Sequence, residues 1–190
     1  MDIVNFTKME DMTVDETQFL NRKYTDHAQN NLSTQLMNLL RSMKGSKLGY
    51  QIDRYRHSLQ SATRAFHNGE ETEMVVAALL HDVADPIAPE NHSAVAAEIL
   101  KPYVSGRTFW IVRHHGLFQG YYYFHHLGGD RDARERFREH HWFDDCVNFC
   151  HEYDQNCFEP NYNEMPLEEF EPLINKVFSQ KRSVSITELA

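Results

Sequence analysis

Residues 71–86, Glu-Thr-Glu-Met-Val-Val-Ala-Ala-Leu-Leu-His-Asp-Val-Ala-Asp-Pro, decide the fold. Met74 to Leu80 is a run of seven consecutive apolar residues. It has neither the polar face of a surface helix nor the alternation of a half-buried strand. The reading is a buried central helix over Glu71–Ala84, with Pro86 and Pro89 marking a short loop. His81 and Asp82 follow the apolar run directly, and both are costly to bury unpaired. A His–Asp hydrogen bond at the helix end would satisfy them. A metal ion beside that end explains more, because adjacent residues can both bind it and the carboxylate can reach a second ion.

Working outward, the pattern remains helical. Thr13-Val14-Asp15-Glu16 reads as a capping box opening a helix to about Met43, with Leu32, Leu36, Leu39 and Leu40 on one face. Gly45 and Gly49 interrupt the chain before a helix over about Asp53–His67, which Asn68-Gly69 terminates. Further helices are predicted over Asn91–Leu100, from near Ser105 and carrying Phe109, Ile111 and Val112, over Asp130–His141, over Trp142–Phe158, and after Pro166 through Phe178. No stretch sustains period-two alternation, so the expected class is all-α. The division expected is an N-terminal helical segment, 1–48, packed on a core domain, 49–180, with a polar and disordered tail, 181–190.

The bulk numbers narrow the function classes. A chain of 190 residues suits one domain with its own core. A formal net charge of −9 disfavours nucleic acid and anionic membrane as partners. No apolar run approaches the roughly 20 residues of a membrane span. Met1–Phe6 lacks the basic and apolar regions of a signal peptide, so a cytoplasmic location is expected. Cys146, Cys150 and Cys157 are an odd set, read as free thiols and small apolar residues rather than metal ligands.

Twelve histidines are the unusual figure. His57 falls inside the second helix, His81 ends the third, His92 begins the fourth, His114 and His115 lie on the fifth, and Asp154 lies late in the Trp142 helix. Each is a potential metal ligand from a different helix. His114 and His115 point about 100° apart on a helix, so one of the two should face a common site. Asp144 and Asp145 compete with Asp154, although near a helix start they suit the dipole.

His57…His81-Asp82…Asp154 follows the H…HD…D pattern of the HD superfamily, and His92 and His115 match its dinuclear variant. The segments Tyr55-Arg56-His57-Ser58-Leu59-Gln60-Ser61-Ala62, Ala77-Ala78-Leu79-Leu80-His81-Asp82 and His92-Ser93-Ala94-Val95-Ala96-Ala97 resemble the HD-domain mixed-valence diiron oxygenases. That group includes inositol oxygenase and organophosphonate-cleaving dioxygenases. The resemblance, from about Gly49 to Phe178, implies a single-domain HD helical bundle with metals in its core. It implies a first iron on His57, His81, Asp82 and Asp154, and a second on His92 and His115, with Asp82 bridging. His115 is preferred because Val112-Arg113-His114-His115 then aligns with the family's I-x-x-H, and Asp154 because the family's last carboxylate follows an aromatic residue. The implied cofactors are two Fe in the mixed-valence Fe(II)/Fe(III) state, with O2 as co-substrate.

Departures from the family bear on substrate. Relatives carry a lysine or histidine three residues beyond the HD dyad, where this chain has Asp85. The phosphonate enzymes acting on primary amines carry a lysine four residues beyond the fifth ligand, where this chain has Gln119. A site with these two residues looks suited to a ligand bearing a cation. The run Gly120-Tyr121-Tyr122-Tyr123-Phe124 would supply aromatic faces, each worth about 0.5–2 kcal/mol to a quaternary ammonium. Packing on neighbouring helices competes with that role for at least one of these tyrosines. Tyr121 and Tyr123 are therefore candidate substrate contacts, with Tyr50 as a lid. Arg113 and His151 are candidates for a phosphonate.

The activity implied is O2-dependent cleavage of the C–P bond of a hydroxylated (trimethylammonio)ethylphosphonate to glycine betaine and phosphate. The alternative is a metal-dependent HD phosphohydrolase of a small phosphate ester or nucleotide. In its mononuclear form it would leave His92 and His115 without a task. The cyclic-dinucleotide branch is disfavoured because its GYP signature is missing. A non-catalytic module is disfavoured by the full ligand set.

Overall fold

A computed structural model describes residues 2–179 and Lys181. The expected tail otherwise lies outside the described residues. Seven α-helices carry the fold: α1 (Val14–Ser42), α2 (Arg54–His67), α3 (Thr72–Leu80), α4 (His92–Leu100), α5 (Gly106–Gln119), α6 (Phe143–Tyr153) and α7 (Leu167–Phe178). Short 3-10 turns cover Met9–Asp11, Gly120–Tyr122, Phe124–Leu127 and Ala133–Phe137, and no strand occurs among the described residues. No helix is long and apolar enough to cross a membrane.

The apolar run does what its composition demands. Met74 to Leu80 are all buried, and α3 packs against α2, α5 and α7. Around it α7 contributes Leu167, Phe170, Ile174, Val177 and Phe178, a helical stripe that faces inward. The capping box forms: Glu16 N donates to Thr13 Oγ1 at 3.3 Å and Thr13 N donates to Glu16 Oε2 at 3.0 Å. The last turns of α1 bring Leu36, Met37, Leu40 and Met43 into the same apolar core as α3 and α7. At α2, Asp53 caps the N-terminus by accepting from Arg56 N at 2.9 Å, and Gly69, at φ +76°, allows the turn that follows.

Three predicted helices are shorter than their patterns. The central helix stops at Leu80 rather than Ala84, and tight turns, Val83 N to Leu80 O and Asp85 N to Asp82 O, carry the chain over Val83–Ile87. The Trp142–Phe158 pattern is helical only through Tyr153, because Asp154 leaves helical geometry at φ −128°, ψ −67°. Asp130–His141 holds only the 3-10 turn Ala133–Phe137. Asp130 Oδ1 accepts from Asp132 N at 2.9 Å, a local turn that competes with a helix start. Two of these breaks position the site, since His81, Asp82 and Asp154 all sit where a helix gives out.

Candidate metal centre

Five helices converge on one point. α2 supplies His57 one turn after its cap, the end of α3 supplies His81 and then Asp82, α4 begins with His92, α5 supplies His115, and α6 ends on Asp154. Every one of the four histidines has its Nδ1 beside a backbone carbonyl. His81 reaches Ala78 O at 2.7 Å, His115 reaches Val112 O at 2.7 Å, and His92 reaches Pro89 O at 2.9 Å, each three residues back. His57 reaches Cys157 O at 3.0 Å, across the chain. A carbonyl only accepts, so each Nδ1 carries a proton, and a ring in its neutral form has the Nε2 lone pair facing inward. This is the arrangement by which metal-ligating histidines are oriented.

The carboxylate of Asp82 divides its oxygens between two histidine pairs. Oδ2 lies 3.4 Å from His57 Nε2 and 3.6 Å from His81 Nε2. Oδ1 lies 3.2 Å from His115 Nε2 and 3.3 Å from His92 Nε2. Asp154 joins the first pair, with Oδ1 at 3.5 Å from His57 Nε2 and 3.8 Å from His81 Nε2. Donor atoms of His57, His81 and Asp154, and again of His81, Asp82 and His115, lie within 4.8 Å of one another.

Without a cation the cluster is electrostatically incomplete. His57 Nε2 and His81 Nε2 face each other at 3.2 Å, and Asp154 Oδ2 is buried with no hydrogen-bond partner. Burial alone would disfavour a charged His81, but Asp82 and Asp154 outweigh it and push its pKa up to about 9. Burial likewise opposes ionisation of Asp82, yet His81, His115 and His57 hold its pKa well below the usual carboxylate range. A cation among these atoms would meet the lone pairs and the orphan oxygen together. The set is imidazole and carboxylate without thiolate, which fits iron, manganese or zinc.

A cavity of about 240 Å³ opens onto the centre. Its floor is Asp82, His92, His115 and Asp154, and its walls include Tyr50, Arg54, Gln119, Tyr123 and Phe158. Gly116 also lines it, and a Cβ there would stand 2.6 Å from Ser93 Oγ. A side chain there would have to displace the Ser93 hydroxyl where α4 and α5 pack and bring His92 and His115 to Asp82.

The six expected ligands thus come together. His114 does not join them: its Nδ1 lies 2.8 Å from Trp110 O and its ring packs on Trp110 and Phe137. Asp145 pairs with Arg107 at 2.8 Å in the first turn of α6. Of the expected substrate contacts, Tyr50, Gln119 and Tyr123 line the cavity. The other four do not. Asp85 is turned to Arg54 Nε at 3.0 Å and His92 Nδ1 at 3.8 Å. Tyr121 lies beneath the guanidinium groups of Arg134 and Arg131, at 3.8 and 4.3 Å from its ring. His151 is exposed with Nδ1 beside the Tyr122 hydroxyl, and Arg113 is exposed and pairs with Glu98 at 3.3 Å. The three cysteines are free and buried, and burial raises the thiols of Cys150 and Cys157, the latter to about 12.

Arg54 and Phe158 are cavity residues that the sequence reading missed. Arg54 precedes His57 by one helical turn, so its face was legible from spacing. Phe158 sits in an irregular segment with no such signal. That segment is fastened along α2. Gln60 Nε2 donates to Glu159 O at 2.7 Å and Gln60 Oε1 accepts from Glu159 N at 3.1 Å. Arg56 pairs with Glu164 and donates to Pro160 O at 3.1 Å, and Thr63 Oγ1 accepts from Met165 N at 3.0 Å. So held, the segment presents the Cys157 carbonyl to His57 and stacks Phe158 on the His57 ring, 4.5 Å between centroids.

Residues 54–146 match the family model for the HD domain. The matched span contains His57, His81, Asp82, His92 and His115 and ends before Asp154. No match is found among curated proteins.

Proposed function

We propose that this HD-domain chain is a dinuclear metal oxygenase that cleaves the C–P bond of a small hydroxylated phosphonate, a hydroxylated (trimethylammonio)ethylphosphonate being the preferred substrate. The observation that carries the reading is Asp82, with one oxygen toward His57 and His81 and the other toward His92 and His115. A mononuclear hydrolase has no use for the second pair. The residues that would hold the ions are His57, His81, Asp82 and Asp154 for one, and Asp82, His92 and His115 for the other. An iron pair in this set supplies one-electron chemistry with dioxygen and Lewis acidity toward substrate oxygens.

The cavity fits a small ligand, its volume of about 240 Å³ lying below the roughly 300–1,000 Å³ of pockets for drug-sized molecules. Tyr123 offers an aromatic ring to a trimethylammonium group, whereas Phe158 is stacked on His57 and Tyr50. Gln119 Oε1 is buried without a partner, an acceptor suited to the substrate hydroxyl. In the overall reaction one atom of O2 enters the new carboxylate and the other enters phosphate, with release of one proton.

The second reading is a phosphohydrolase, favoured by the burial of the His57, His81 and Asp154 group, which would serve a single ion. Iron-loaded protein given the hydroxylated (trimethylammonio)ethylphosphonate should consume O2 and release phosphate in equal amounts, and should release none under argon. Phosphate release from simple phosphomonoesters under argon, with no O2 uptake on the phosphonate, would establish the hydrolase instead.

A further inference from the structure

We infer that Arg54 is the anion receptor of the cavity, gripping a phosphonate or phosphate group through its two Nη atoms while Asp85 holds its Nε. Among the described residues lining the cavity, Arg54 alone carries a fixed positive charge. Its Nε donates to Asp85 Oδ2 at 3.0 Å. Neither Nη donates a hydrogen bond within the described residues, although Nη1 forms an ion pair with Asp82 Oδ2 at 3.4 Å at the floor. An arginine that merely neutralised Asp85 would be expected to engage it with two parallel hydrogen bonds. Here the carboxylate takes one edge and leaves the other directed at the metal centre.

The surroundings fix that direction. The guanidinium lies 4.9 Å from the Tyr50 ring and 5.8 Å from the Phe158 ring, and those two rings are themselves stacked at 5.1 Å. Ring contacts of this kind restrain the guanidinium and suit arginine rather than lysine. Asp85 therefore changes role from that expected of its sequence position. Its charge is met by Arg54 and it faces His92, so it orients the receptor and does not attract a cation. An anion on the Nη edge would lie beside Asp82, next to the ions that Asp82 would hold.

The inference rests on the cavity's being the substrate site, but not on the oxygen chemistry, and the experiment keeps the two apart. Methylphosphonate binding is measured by calorimetry on metal-loaded wild-type, Arg54→Gln and Arg54→Lys proteins, with the metal content of each determined beforehand. The wild type should bind, Arg54→Gln should lose about tenfold to a hundredfold in affinity at unchanged metal content, and Arg54→Lys should recover only part of it. Tetramethylammonium, tested in parallel, should bind Arg54→Gln at least as well as the wild type. Methylphosphonate affinity within about twofold of wild type in Arg54→Gln would overturn the assignment. So would loss of metal from Arg54→Gln, which would make Arg54 a support of the carboxylates, and so would a wild type that binds no methylphosphonate. Arg54-dependent binding in a protein with no O2 uptake would leave the receptor standing and remove the oxygenase.

Discussion

The two halves of the centre are built differently. On the α2, α3 and α6 side, His57 and His81 have no exposed surface, and Asp154 is buried beside them. On the α4 and α5 side, the His92 side chain is 23% exposed and stands at the cavity floor. The closed half is braced from outside by the segment fastened along α2. The open half depends on one close helix approach, at Gly116. A closed set holds an ion, whereas an open one leaves positions for a ligand. On the proposed function, the asymmetry would divide retention from reaction within one centre, with Asp82 shared between the two.

Substitutions break the comparison in order of effect. Asp82→Asn, which removes the shared group, should empty both halves and leave less than about one ion per chain by elemental analysis, with turnover lost. His57→Ala should lose the closed-half ion and, through the cavity left in the core, cost about 2–4 kcal/mol in denaturant unfolding. His92→Ala, at the exposed edge, should stay within about 1 kcal/mol of wild type. Equal losses from the two histidine variants would dissolve the distinction between the halves. Gln60→Leu touches neither ligand nor cavity but releases Glu159, so metal affinity should weaken about tenfold in competition with a chelator while the helical circular dichroism is kept.

The smallest effect concerns Cys157, beside the bracing segment. Burial holds its thiol neutral with a pKa of about 12, so alkylation of the folded protein should not accelerate between pH 7 and 9 as that of an ordinary thiol does. Rapid labelling in that range, read by intact mass, would show that the segment is loosely held. In Gln60→Leu the same labelling should become measurable.

Much of this was legible in the sequence, and the gaps have physical reasons. The seven apolar residues before His81 specify a buried helix because no face is left for water. The order of the six candidate ligands along five helices follows the HD pattern that the sequence resembles. The point where a helix gives out is harder to read: α3 was expected to reach Ala84, since Val83 and Ala84 are themselves apolar and buried. Their burial belongs to the turn that delivers Asp82. Tyr121 was misplaced because adjacent aromatic residues diverge in direction, and the arginines that cover it come from a segment expected to be helical. Phe158 was invisible because an irregular segment carries no periodicity. Asp85 looked like a free charge because its partner, Arg54, lies 31 positions away in sequence.

The most direct test of the shared centre is a metal count on wild-type and His92→Ala proteins loaded with iron, with an EPR spectrum of each partly reduced sample. The account predicts about two irons per chain and a coupled mixed-valence signal for the wild type, and about one iron without that signal for His92→Ala. One iron in both proteins, or two in both, would contradict a centre in which Asp82 joins a closed half to an open one.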